Sequence, residues 1–114
     1  MKIEDEMKNL QEPLSHISLS ALALARELEP DAVFERRQTA WICRPNNFIG
    51  FEIRYKRTSK CNILLRAVFN RVSEDVVKIL PWWCGPLGYI RVEIRNAKQL
   101  GAIHDWIVAS HGYL

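Results

Sequence analysis

Redox and metal chemistry have little to work with in this chain. Its three cysteines, Cys43, Cys61 and Cys84, stand at wide spacings, and no C-x-x-C pair occurs among 114 residues. Such a set builds neither a disulfide framework nor a zinc site, and it suits a reducing, cytoplasmic setting. Long apolar runs are missing as well. The longest uncharged stretches, 13–25 and 79–90, fall short of the roughly 20 residues a bilayer-spanning helix needs, and the second contains two prolines. No membrane partner is therefore expected. Ala23-Leu24-Ala25 has the small-residue look of a signal-peptidase site, but four acids and only Lys2 and Lys8 precede it in residues 1–12, the reverse of a secretory leader. Internal repeats, a glycine-rich phosphate loop, a paired-carboxylate motif and a Ser-His-Asp signature are all absent, so no cofactor is expected either.

What the chain does have is alternation. Residues 48–55, 61–69 and 89–95 each switch between apolar and polar side chains, and successive strand side chains point to opposite faces. Ile49, Phe51, Ile53 and Tyr55 then share an oily face, while Gly50, Glu52 and Arg54 share the other. Helices must cover the oily face, and they are available on both sides. Ile3, Met7 and Leu10 give a short amphipathic helix, a frayed extension over 1–12; Leu14, Ile17, Ala21, Leu24 and Leu28 give a longer one that Pro30 stops. A strand over 39–44 should follow, then the strands at 48–55 and 61–69. Ser73 caps a short helix ended by Pro81, and a Pro/Gly loop leads into the strand at 89–95. Asn96 caps the last helix with Gln99 returning the bond, Leu100, Ile103, Trp106 and Ile107 face inward, and Gly112 ends it. The expected fold is α+β: a mainly antiparallel four-stranded sheet packed on one face by an N-terminal and a C-terminal helix, one domain over 1–114.

Charge is unevenly spread. Residues 1–35 hold three basic and eight acidic side chains, whereas 36–114 hold thirteen basic and five acidic. The sheet-forming part is basic, as a surface for nucleic acid or another polyanion would be, although an acidic helix packed nearby would cancel much of that field. If alternation holds, Glu52, Arg54, Arg66, Arg91, Glu93 and Arg95 all project from the sheet's outer face, with Tyr89 as a stacking platform. The bland counterpart is a solvated ladder of Glu-Arg pairs, the commoner use of a one-sided sheet.

Other constellations are weaker. Trp83-Cys84-Gly85-Pro86 echoes the thioredoxin site, but Leu87 stands where a resolving cysteine belongs and the segment leads into a strand rather than a helix. A reactive thiol at Cys84, with His104 as base and Asp105 nearby, is the enzymatic alternative. Trp82 and Trp83 read first as packing residues, and Trp83 also as an aromatic contact for a partner. His104 and His111 are seven apart on one helix face with no further ligands, so no metal site is expected, and His16 has no partner motif.

From about Glu29 to Ser110 the chain resembles a small bacterial domain family of unknown function found in so-called predicted transport proteins. The resemblance rests on Leu28-Glu29-Pro30-Asp31 leading into Phe34-Glu35-Arg36-Arg37, on Trp41-Ile42-Cys43-Arg44, on Trp83, Gly85 and Gly88 before Tyr89-Ile90-Arg91-Val92-Glu93-Ile94, and on the helix over 96–110. It implies a strand-rich accessory module closed by a C-terminal helix, appended in some relatives to nuclease-like domains, and it brings no catalytic residue. The sequence as a whole points to a non-enzymatic binding module. Its partner would be protein or nucleic acid, held by Arg54, Arg66, Arg91 and Arg95 with Tyr89 and Trp83. Homo-oligomerisation through a strand edge is the structural alternative.

Overall fold

The computed structural model describes residues 2–54, 56–66, 79–82 and 89–112, with the backbone alone for 79–82 and Tyr89. Two helices come first, α1 (Ile3–Lys8) and α2 (Leu14–Leu28). The sheet follows with β1 (Val33–Arg37), β2 (Ala40–Arg44), β3 (Ile49–Glu52), β4 (Asn62–Arg66), β5 (Ile79–Trp82) and β6 (Tyr89–Glu93), and helix α3 (Leu100–Gly112) closes the chain. All pairings are antiparallel, in the order β1-β2-β3-β4-β6-β5. The fold is thus α+β with an antiparallel sheet, but six strands replace the four expected.

Both additional strands have a physical explanation. Val33–Arg37 is charged and half exposed, so it carries no hydrophobic period of its own; it is a strand because it pairs edge-on with β2, from Val33↔Arg44 to Arg37↔Ala40. Ile79–Trp82 pairs with β6, which places Ile79 and Leu80 in a strand and not in the helix capped at Ser73. Pro81 lacks an N–H for a ladder, and β5 is an edge strand, where proline is tolerated. Residues 67–78, which include the expected end of the third strand and the start of that helix, lie outside the described residues.

Strand parity holds where it can be followed. Ile49, Phe51 and Ile53 are buried with Cys43, Ile63, Leu65, Ile90 and Val92 in the core that also receives Ile17, Ala21 and Leu22 of α2 and Ile103 and Ile107 of α3. Helix α1 is more than a frayed extension, since Ile3, Met7 and Leu10 are buried in that same core. Glu6 of α1 also accepts hydrogen bonds from Trp41 Nε1 and from Arg36 Nη1, the latter at 2.6 and 2.8 Å, and Arg36 stacks over the Trp41 ring. The final helix begins as its sequence implies. Asn96 Oδ1 accepts from Lys98 N, and the buried Gln99 accepts from Arg95 N and Asn96 N while donating to Glu93 O, so every polar atom of its amide is used.

The second face of the sheet is not uniformly charged. Its central row runs Ile42, Gly50, Leu64, and Leu64 is buried. A Cβ on Gly50 would stand 2.9 Å from Ile42 Cδ1 and 3.3 Å from the Trp41 carbonyl oxygen, so glycine lets those aliphatic side chains close over the strand. The same row continues to Glu35 on β1 and Arg91 on β6, so its apolar part spans only β2 to β4.

Candidate functional site

Residues 53–58 form the connection that leaves β3, and local chemistry determines its path. Ile53 N donates to Thr39 O, Arg57 N donates to Arg54 O at 3.0 Å to close a turn, and Gln11 N donates to Thr58 O, tying the loop to the α1–α2 junction. Lys56 takes a left-handed φ of 62° within that turn. The result brings Arg54 and Arg57 side by side, with Lys60 following before β4.

These three cations stand around a pocket of about 170 Å³ whose other walls are Glu52, Asn62 and Arg91. The base is well ordered by its own bonds. Arg91 reaches across β4 to Glu52, with Nε 3.1 Å from Oε1 and Nη2 donating to Oε2 at 3.1 Å, and Asn62 Nδ2 donates to Glu52 Oε1 at 2.8 Å. Glu52 is 9% exposed, so its charge is compensated by Arg91 and not by water. Asn62 is 7% exposed, and its Oδ1 has no hydrogen-bond partner. Among the described residues no carboxylate comes within 4 Å of Arg54 or Arg57, and Lys60 touches Glu93 only at 4.0 Å. Arg54 and Arg57 also border a second cleft, of about 440 Å³, whose walls include Asn9, Leu10, Ile53 and Thr58.

The expected recognition set does not assemble as one surface. Arg91 is committed to Glu52, and Arg95, in the segment after β6, donates to Glu93 at 3.2 Å. Arg66 sits at the opposite end of β4, bonded to Asn46 and Asn47. Arg54 alone of the four is exposed with no ion partner among the described residues. Tyr89 lies opposite Arg66 by backbone register, its side chain beyond the described part, and Trp83 and Cys84 lie outside the described residues. Arg57, Lys60 and Asn62 escaped sequence reasoning because 56–60 read as a polar hairpin loop. The available signal was its bias, with Arg54, Lys56, Arg57 and Lys60 between Glu52 and Asn62 and no acid among them.

Two other polar clusters are chemically quiet. His104 Nε2 and Ser20 Oγ share a hydrogen bond of 3.0 Å between α3 and α2. His111 Nε2 lies 2.9 Å from Glu29 Oε1, which also accepts from Asn46 Nδ2; the Asn46 bond, then His111, holds the Glu29 carboxyl below its ordinary value. Each histidine thus has its own partner. Burial pushes the Cys43 thiol up to about 11 and the Cys61 thiol up to about 12, helped by the nearby Glu29 and Glu52 charges, so both are inert thiols. Among the described residues no three His, Cys, Asp or Glu side chains converge on a metal position, and no helix is long and apolar enough to cross a membrane.

Fold and site together define an antiparallel α+β domain with a cation-rimmed pocket at one end of its sheet. Compared with protein-family models, curated proteins and solved structures, the chain matches none.

Proposed function

We propose that this protein is a non-enzymatic module that binds a polyanionic macromolecule, nucleic acid foremost, at the cationic end of its sheet. One observation carries the reading: among the described residues Arg54 and Arg57 stand exposed without a carboxylate partner, beside Lys60 and Arg91 around one polar pocket. Two such arginines side by side raise the local concentration of phosphate, and their planar forks suit its oxygens. The sheet's paired arginines are structural by comparison. Arg91 neutralises a buried glutamate and Arg66 orders a loop, so neither is free to provide the recognition first expected of it. Lys56, on the wall of the adjoining cleft, and Arg95, which shares Glu93 with Lys60, add positive charge outside the pocket.

Fluorescence anisotropy with labelled single- and double-stranded oligonucleotides over a salt series tests this. Binding should weaken with salt along a log–log slope of about −3, as three or four neutralised phosphates require. A triple Arg54→Ser, Arg57→Ser, Lys60→Ser variant should lose most of that slope. No binding at low salt, or binding indifferent to salt, would eliminate the proposal.

A further inference from the structure

We infer that the pocket receives the terminal phosphomonoester of a nucleic-acid strand, with the end nucleoside lying in the adjoining cleft. This rests on the polyanion reading above and makes it specific. At about 170 Å³ the pocket is smaller than the 300–1,000 Å³ or so typical of small-molecule sites, so it takes a chemical group and not a whole ligand. Its floor is the sheet itself, through Glu52, Asn62 and Arg91, and its rim is the loop that carries Arg54, Arg57 and Lys60. An internal phosphodiester has strand leaving on both sides and one negative charge. A terminal phosphate enters end-on, carries up to two charges, and offers three oxygens to donors arranged around it.

Charge decides the sign of the occupant. Four cations surround one carboxylate, and that carboxylate is already held by Arg91 and Asn62, leaving the rim cations as the pocket's surplus. Asn62 keeps the floor rigid: its amide is more than nine-tenths buried, and Nδ2 donates to Glu52 Oε1 at 2.8 Å.

The cleft accounts for the rest of the ligand. Arg54 and Arg57 border both cavities, so a group anchored in the smaller one continues over their guanidinium groups into the larger. That cleft, about 440 Å³, is of small-molecule size. Leu10 and Ile53 give it apolar wall for a base, Asn9 and Thr58 give it polar groups, and the Glu6 carboxylate on its wall is already held by Arg36 and Trp41. Loop and helix are held in register by the Gln11 N to Thr58 O bond of 2.8 Å, so the two cavities are formed before any ligand arrives.

The test compares one short labelled oligonucleotide with a 5′-phosphate, a 3′-phosphate or hydroxyls at both ends, at fixed low salt, with inorganic phosphate and a free nucleoside monophosphate as competitors. One terminal phosphate should tighten binding about tenfold or more, and millimolar inorganic phosphate should erase that gain. Arg54→Ser and Arg57→Ser, both exposed positions, should each remove the preference while circular dichroism and the melting temperature stay unchanged. Arg95→Ser, outside the pocket, should weaken all three oligonucleotides alike. Equal affinity for all three with normal salt dependence would overturn the terminal-phosphate inference and leave the polyanion reading standing. Absence of binding to any of them would remove both, and a free monophosphate binding as tightly as the strand would overturn the strand-end assignment.

Discussion

The two ends of β4 carry similar residues and treat them oppositely. At one end Arg66 bonds Asn46 and Asn47, Asn46 donates to Glu29, Glu29 meets His111, and Ser110 Oγ donates to Phe48 O while accepting from Arg66 N. At the other, roughly 13 Å along the strand, Asn62 and Arg91 bond Glu52 and three further cations stand around them. Helix α3 is the difference. It packs on β3 and β4 through its C-terminal turns at the Arg66 end, so each polar group there had to be matched before it could be buried. At the Asn62 end the β3–β4 loop approaches, and the Arg54, Arg57 and Lys60 it delivers are exposed.

The comparison breaks most readily at the closed end. Ser110→Ala would remove the hydroxyl that accepts from Arg66 N and donates to Phe48 O, and should cost about 2 kcal/mol in urea unfolding, with polyanion affinity untouched. If affinity fell in parallel, the two ends would not be separate. Glu52→Gln sharpens the contrast from the other side. It keeps the side-chain shape and one acceptor oxygen but removes the negative charge beside Arg91, which is 32% exposed and can turn to water, so the stability cost should stay near 1 kcal/mol while anion affinity rises about threefold. Weaker anion binding in that variant would mean that Glu52 belongs to the ligand contacts.

The smallest expected effect concerns acid. Because the Glu29 carboxyl titrates below its ordinary 4.5 in the folded protein, its contribution to stability is present above that value and is lost as pH falls through the lowered one. Glu29→Gln should therefore flatten the acid limb of a stability–pH curve below about pH 4.5 and leave the neutral region little changed. An unaltered acid limb would show the Asn46 and His111 bonds to be without consequence for folding.

Much of the architecture was legible in advance, and particular residues show why. Ile49, Phe51 and Ile53 alternate with Gly50 and Glu52, and a period of two has only one burial solution once helices cover one side. Asn96 with Gln99, and Pro30 after Leu28, are local signals that act within a single turn of chain. Val33–Arg37 and Ile79–Trp82 lack such signals, and they are strands because β2 and β6 offer them ladder partners. The site was less legible. Arg54, Arg57 and Lys60 are plain loop cations in sequence, and their neighbour Arg91 comes from a strand more than thirty residues later.

Composition and spacing on their own determined that this chain would bury one face of an antiparallel sheet under amphipathic helices, because burial follows from local periodicity. Which arginines are consumed by partners and which remain for a ligand was decided only by tertiary structure. Glu52, Asn46 and Asn47 reach their arginines through strand register and loop closure, and pairing at a distance of a few ångströms depends on where separate segments meet.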